Sequence, residues 1–221
     1  MSLRGATRTG AEPVLIVFAR APEPGQVKTR LAPLLGAGGA ARLHARMVVK
    51  TLETALASGA GKVELHCAPS TKNIFFREMR DRFGVRLRSQ AMGRLGERMH
   101  HAFKRALRRH PYALLIGGDC PALRPSDLRS ALRALRAGAD AVLSPAEDGG
   151  YALIGLRRPS RRLFEGVAWG SDRVLEQTRR RLGRLGWRHR ELRRLWDVDR
   201  PEDVLRLRRS RLLSPRPRPI S

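Results

Sequence analysis

Cysteine is nearly missing from this sequence: 221 residues contain only Cys67 and Cys120. The two form no CxxC pair and show no metal-ligand spacing, so neither a disulfide framework nor a thiolate metal site is indicated. Two small buried thiols in a reducing compartment are expected. Aromatic residues are also scarce, at 5%, which argues against a stacking platform for single-stranded nucleic acid. Long apolar runs are absent. The longest near the N-terminus, Val14 to Ala19, is too short for a signal segment or a membrane span, and a cytoplasmic protein is expected. Acidic charge is short as well, with 20 Asp and Glu against 45 Lys and Arg, for a net charge of +25. Only five of the basic residues are Lys. From Arg157 onward, 20 Arg stand against 8 acidic residues, so the charge leans toward the C-terminal part. Such a field attracts polyanions without specificity and favours phosphorylated substrates.

What is present is a hydrophobic fraction of 42%, enough for one well-buried core. Short apolar runs at 14–19, 62–67, 85–88, 113–116, 139–143 and 152–156 read as strands, and a last strand is expected before Asp197. Between them, helical spacing appears at 40–57, 71–83, 95–109, from Leu128 and after Ser171, which reads as an N-cap. Pro201 opens a final helix at its first position. This alternation predicts an α/β fold: three αβα layers around a mainly parallel mixed sheet. The expected organisation is a flexible leader at 1–12, one domain at 13–207 and a disordered Arg/Pro tail at 208–221.

In such a sheet, ligands sit beyond the C-terminal ends of the strands. Asp119, Asp148 and the Asp197/Asp199 pair all fall where strands end, and the loop 20–30 leaves the first strand at the same edge. That loop offers Arg20, Lys28 and Arg30 on a frame stiffened by Pro22 and Pro24 and turned by Gly25. Fixed amides plus cations suit a pyrophosphate. It is not a Walker A loop, because the GxxxxGK[ST] spacing fails. A solvated basic turn is the bland alternative.

Gly117-Gly-Asp-Cys-Pro121 sets a carboxylate directly after a buried strand, where Mg²⁺ or Mn²⁺ can take oxygen ligands. The alternative is a helix cap, which Pro125 several residues later makes a poor fit. In Asp197-Val-Asp199, alternation on a strand end points the two carboxylates opposite ways, so only one faces a metal. Asp199 could instead cap the helix at Pro201, since Arg200 is a poor cap. Asp148-Gly149-Gly150-Tyr151 suits an acceptor pocket in which Asp148 orients or deprotonates a hydroxyl. On the sequence alone an ordinary hairpin turn explains it slightly better. Trp169 lines that pocket or staples the following helix. The six His show no ligand pattern and read as surface or packing residues.

Taken together, Ala-Arg-Ala-Pro-Glu-Pro-Gly-Gln-Val-Lys-Thr-Arg-Leu (19–31), Leu-Gly-Glu-Arg-Met (95–99), Gly-Gly-Asp-Cys-Pro (117–121), Ser-Pro-Ala-Glu-Asp-Gly-Gly-Tyr (144–151), Trp-Gly-Ser (169–171) and Asp-Val-Asp-Arg-Pro-Glu-Asp-Val (197–204) resemble a bacterial family of small glycosyltransferase-like proteins. That family was long catalogued as a domain of unknown function, and some of its members are assigned to arsenosugar biosynthesis. The resemblance covers roughly residues 13 to 207. It implies the type-A glycosyltransferase fold, shared with phospholactate and molybdenum-cofactor guanylyltransferases. It further implies that Gly25, Lys28 and Arg30 cradle a nucleotide's phosphates, with Arg20 and Arg98 beside them. A divalent cation shared by Asp119 and Asp199 is implied too. The sequence departs from the family pattern at Arg20, where Lys is usual, and at Arg200, where Thr caps the helix.

The expected function is metal-dependent transfer from a nucleotide-activated donor to a small-molecule acceptor, most simply glycosyl transfer from a nucleotide-sugar. Asp119, Asp148 and Lys28 are the expected catalytic residues, and Gly149, Gly150, Tyr151 and Trp169 the acceptor pocket. Nucleotidyl transfer from a nucleoside triphosphate needs the same loop and metal and stays open. A basic nucleic-acid-binding protein without catalysis is the third alternative, and it leaves the strand-end aspartates unexplained.

Overall fold

The computed structural model describes residues 12–210 together with 212 and 213. The leader expected at 1–12 lies, Glu12 apart, outside the described residues, as does most of the expected tail. Seven strands form one sheet: β1 (Val14–Arg20), β2 (Lys62–Ala68), β3 (Arg86–Ser89), β4 (Ala113–Gly117), β5 (Ala141–Pro145), β6 (Tyr151–Leu156) and β7 (His189–Glu191), in the order β3-β2-β1-β4-β6-β5-β7. All neighbours run parallel except β6, which is antiparallel to both β4 and β5. The mixed, mainly parallel sheet is therefore as expected. Its single reversal comes from the β5–β6 hairpin, whose Asp-Gly turn lets the chain double back within the sheet.

Period-two alternation sends each strand's residues to two different cores. Leu15, Val17 and Ala19 of β1 join the cluster that holds Val48, Leu52, Phe76 and Leu128, while Val14 and Ile16 join Met99, Phe103, Leu175 and Leu182. The helices are α1 (Ala32–Ala57), α2 (Ile74–Phe83), α3 (Leu95–Ala106), α4 (Pro125–Arg136), α5 (Val174–Arg184) and α6 (Pro201–Ser210). On those packing partners, α1, α2 and α4 cover one face and α3 and α5 the other. A third cluster, with Leu31, Met47, Val198, Val204 and Leu207, seats α6 against α1. No helix among the described residues is long and apolar enough to cross a membrane.

Four local expectations are corrected. The first helix starts at Ala32 rather than near 40 and is interrupted at Gly36, the one non-helical residue inside it. The helix after Ser171 begins only at Val174; Ser171 Oγ accepts from Arg173 N and donates to Ala168 O, a local turn that spends the hydroxyl before the helix starts. The final strand ends at Glu191, leaving a single bridge at Leu195 before the aspartates. The last helix continues through Ser210, past the boundary expected at 207, because Val204 and Leu207 bury on α1.

Glu64 links β2 to β3. It accepts from Arg88 Nε at 3.3 Å and Nη2 at 3.2 Å, and His66 Nε2 lies 3.2 Å away. Burial alone would raise its pKa, but His66 and Arg88 outweigh burial and bring it down to about 2. The folded pKa then lies below the unfolded value of about 4.3, so this stabilisation is complete above that pH and is lost as pH falls toward the folded pKa. Across that window the wild type is expected to lose up to roughly 3 kcal/mol more stability than Glu64→Gln. Urea unfolding at stepped pH reads the difference, and parallel pH profiles would refute it.

Candidate functional site

The first loop is shaped by its own sequence. Pro24 and Gly25 occupy the centre of a turn closed by Gln26 N donating to Glu23 O at 3.0 Å, with Gly25 at φ 77° as a type II turn requires. Buried Val27 anchors the far side, and Asn73 Nδ2 donates to Glu23 at 3.1 Å. The chain then places Lys28 in the left-handed region, at φ 46°, an uncommon conformation for a residue with a side chain. The consequence is that the Lys28 side chain turns inward and is only 8% exposed.

What it meets is Asp119. Lys28 Nζ lies 3.0 Å from Asp119 Oδ2 and 3.5 Å from Asp199 Oδ1, and Arg30 Nη1 donates to Asp199 Oδ2 at 2.5 Å. Residues 91 and 169 positions apart thus share one cluster. Burial alone would lower the Lys28 pKa, but Asp119, with Asp199 and Asp197 behind it, holds it above the usual value. Lys28 in turn holds the Asp119 carboxyl below the usual range, with burial opposing.

The two glycines before Asp119 have packing reasons. A side chain at Gly118 would approach Val48 of α1 to 2.9 Å and the Phe18 carbonyl to 3.4 Å; one at Gly117 would crowd the Asp119 carboxylate at 2.8 Å. Gly118 N also donates to Phe18 O at 3.1 Å. The segment 196–198 lies along the same strand end. Val198 N donates to Asp119 O at 3.1 Å, and Cys120 Sγ donates to Trp196 O at 3.2 Å.

Capping is done by other residues. Asp127 accepts from Arg124 N at 2.8 Å at the start of α4, and Asp203 accepts from Asp199 N at 3.0 Å and Arg200 N at 2.8 Å at the start of α6. Asp119 and Asp199 therefore keep their carboxylates for the cluster, and Asp203 compensates for Arg200 as a cap. Residues 197–199 form a loop rather than the strand end expected, and Asp199 is the member of the pair in contact with Lys28 and Arg30. Burial first, then Asp119 and Asp148, push the Asp197 pKa up to about 6.

Asp148 sits in the turn that closes the β5–β6 hairpin, where its Oδ1 accepts from Gly150 N at 2.9 Å, and its charge helps raise the Asp197 pKa. Gly149, at φ 86°, carries the turn against Asp172, whose carbonyl oxygen would lie 2.2 Å from any Cβ there. Of the residues expected to form the acceptor pocket, Gly149, Gly150, Tyr151 and Trp169, the two aromatics pack on each other. Tyr151 packs edge-on to Trp169 at 6.3 Å and buries its hydroxyl beside Thr178, where burial pushes its pKa up. Trp169 also lines a cavity against α3.

Arg20 is exposed at the end of β1. Arg98 approaches it from α3, donating to Gln90 Oε1 at 3.0 Å; burial first, then the Arg20 charge, lower the Arg98 pKa. Two residues of this framework carry no signal in the sequence. Gln90 Nε2 donates to Ala19 O at 3.1 Å and His66 O at 2.8 Å, clamping the ends of β1 and β2. His44, read with the other His as surface or packing, is buried in α1 with Nε2 3.0 Å from Arg20 O, close enough to Asp119 and Lys28 to feel both charges. Helical spacing with Met47 and Val48 marks His44 as inward-facing, but nothing marks what it faces.

The donor set fits a divalent cation of the Mg²⁺ or Mn²⁺ type. The Lys28 ammonium already bridges Asp119 and Asp199, a position for positive charge. Asp119 and Asp199 are the two carboxylates in contact with the side-chain cations Lys28 and Arg30. Among the described residues no group of three or more His, Cys, Asp or Glu is arranged to enclose a metal. Two protein carboxylates, with phosphates completing the shell, are what Mg²⁺ ordinarily takes.

Comparison with known proteins agrees with this architecture. The family model described as "Uncharacterized protein conserved in bacteria (DUF2064)" matches residues 51–171. A crystal structure of an inferred nucleotide-diphospho-sugar transferase from Desulfovibrio desulfuricans G20 is 30% identical, covers 92% of this chain and 89% of its own, and superposes with a TM-score of 0.83. A nucleotidyl transferase from Methanothermobacter is 17% identical over 91% of this chain and 98% of its own, with a TM-score of 0.58. Glucosyl-3-phosphoglycerate synthase from Mycobacterium tuberculosis, solved with Mn²⁺, UDP and glucosyl-3-phosphoglycerate, is 13% identical over 92% of this chain and 77% of its own, with a TM-score of 0.55. The fold is thus that of the nucleotide-diphospho-sugar transferases. No curated protein sequence matches the chain.

Proposed function

The chain belongs to the DUF2064 family of proteins conserved in bacteria, and we propose that it is a metal-dependent transferase acting on a nucleotide-activated donor, with a nucleotide-sugar as the donor. One observation carries this reading: Lys28 and Arg30 of the first loop meet Asp119 and Asp199 in a single cluster at the C-terminal edge of the sheet. The likeness to a nucleotide-diphospho-sugar transferase from Desulfovibrio desulfuricans G20 supports it.

In this reading Lys28 and Arg30 bind the donor's diphosphate, and the turn at Gly25 presents backbone amides to the same group. Arg20 and Arg98 extend the positive surface along the end of β1. Asp119 and Asp199 would hold the cation, which when bound supplies charge neutralisation to the departing diphosphate. Binding of donor and cation asks Lys28 to exchange its carboxylate partners for phosphate oxygens, a short movement for a four-carbon stem. Asp148 orients the acceptor's nucleophilic group and takes its proton.

Thermal unfolding tests the reading directly. With Mn²⁺ or Mg²⁺ present, the correct nucleotide donor at about 100 times its Kd stabilises the protein by about 2.7 kcal/mol, a Tm rise of roughly 5–10 °C. Metal or nucleotide alone gives less. The products then separate the chemistries: nucleoside diphosphate marks glycosyl transfer, and pyrophosphate from a triphosphate marks nucleotidyl transfer. Salt-sensitive binding to random DNA that Asp119→Asn leaves intact, with no nucleotide effect, would replace the proposal by the nucleic-acid reading.

A further inference from the structure

A cavity of roughly 540 Å³ opens between the N-terminal half of α3 and the segment 161–169. Its floor is aromatic. Phe164 stacks on Phe103 at 5.8 Å and on Trp169 at 6.5 Å, and Met92 stands 93% exposed at the rim. Gly96 makes the floor possible, because a Cβ there would come within 2.6 Å of the Trp169 indole nitrogen. Its walls are basic: Arg94, Lys104 and Arg161 line it together with His100 and His101.

Two acidic residues share the wall, so three cations stand against two carboxylates. Glu97 accepts from the Arg94 backbone N at 2.8 Å as part of the helix start, and Glu165 stands 3.5 Å from Arg161 on an exposed pair. Exposed pairs of that kind contribute little. The Lys104 ammonium and the Arg94 guanidinium have no recorded ion pair among the described residues. His100 Nδ1 is buried without a hydrogen-bond partner among the described residues.

Side chains beside the cavity connect it to both halves of the site. One turn along α3, Arg98 reaches through Gln90 to the end of β1, where the first loop begins. On the other side Trp169 packs on Tyr151, which directly follows Asp148-Gly149-Gly150. We infer that this cavity takes the acceptor, and that the acceptor is a phosphate monoester with a planar or apolar body. Three cations suit a dianion with several acceptor oxygens, and the Phe164–Trp169 floor suits the body. The assignment to an acceptor rests on the transferase reading; the ligand chemistry rests on the cavity alone.

Calorimetric titration of the full chain with phenyl phosphate, without metal or nucleotide, tests the ligand chemistry. Binding is expected, with benzyl alcohol and inorganic phosphate both weaker. Lys104→Met with Arg161→Gln is expected to weaken phenyl phosphate by about 10-fold or more, the effect of losing a charged hydrogen bond, while Lys28→Met leaves it in place. No binding, equal binding by the double variant, or loss in Lys28→Met would each overturn the assignment. With donor present, hydroxylated phosphate monoesters are expected to accelerate donor turnover, with a KM raised about 10-fold in the double variant. Acceleration by neutral alcohols alone would overturn the acceptor role. Failure of every nucleotide donor to bind would sink the transferase reading and leave the phenyl phosphate result standing.

Discussion

Asp119→Asn is expected to lower turnover of the donor nucleotide by about 10²-fold to 10³-fold, the range for removing one group that stabilises developing charge. The substitution keeps the size of the side chain and removes its charge, so Lys28 loses its 3.0 Å partner and, on the proposed reading, the cation would lose one of its two carboxylates. Stability should fall as well. Breaking a buried ion pair costs about 3–5 kcal/mol, but the Asp119 side chain is 40% exposed and Lys28 keeps Asp199 at 3.5 Å. Solvent screening therefore brings the expected loss to roughly 1–2 kcal/mol. A double variant separates the two effects. Lys28→Met combined with Asp119→Asn removes both charges and should recover most of the stability while turnover stays lost, a coupling that a double-mutant cycle measures. Wild-type turnover in Asp119→Asn would remove Asp119 from the chemistry, whatever happened to stability.

Gly149→Ala should be the most damaging single methyl in the described chain near the site. Gly149 sits at φ 86°, and its Cβ would lie 2.2 Å from the Asp172 carbonyl oxygen and 2.5 Å from Asp172 Cα, both backbone atoms that cannot rotate away. Its own carbonyl accepts from Leu175 N at 2.8 Å, tying the hairpin to the first turn of α5. Left-handed strain and a backbone clash together predict a loss of about 2–4 kcal/mol, or roughly 5–15 °C in Tm. Gly25→Ala is the control. Gly25 has a similar φ of 77°, but nothing lies within 4 Å of a Cβ there. It should cost only about 1 kcal/mol, the strain alone. Equal losses at the two positions would mean that the approach of Asp172 contributes nothing.

The two experiments probe different parts of the same junction. Asp119 sits where β4 ends, and Gly149 holds the hairpin turn that carries Asp148. In both, a small residue permits a close approach and a carboxylate uses it. Gly117 and Gly118 do this for Asp119, and Gly149 does it for Asp148.

Much of this was readable from the chain itself, because the signals are local. A short, β-branched apolar run such as Val14 to Ala19 reads as a buried strand, and Asp-Gly at 148–149 between two such runs is a strong hairpin signal. Where expectation failed, either a competing local turn or a distant contact had overridden the signal. Ser171 lost the helix start to a local turn with Ala168, whereas the last helix gained a turn by packing on α1 and the 197–199 segment left strand geometry to run along Asp119 and Cys120. His44 and Gln90 escaped notice for the same reason, since each acts on the backbone of a strand far away in sequence.

By itself the chain determined its alternation of strands and helices, the turn at Pro24-Gly25 and the placing of aspartates at strand ends, since each depends on neighbours within a few residues. Only the tertiary structure decided that Lys28 turns inward to bridge Asp119 and Asp199, that Arg30 joins Asp199, and that Trp169 lines a cavity on α3. Those are relations between segments tens of residues apart. They are set by how the sheet orders its strands and how the cores pack, and no local periodicity encodes them.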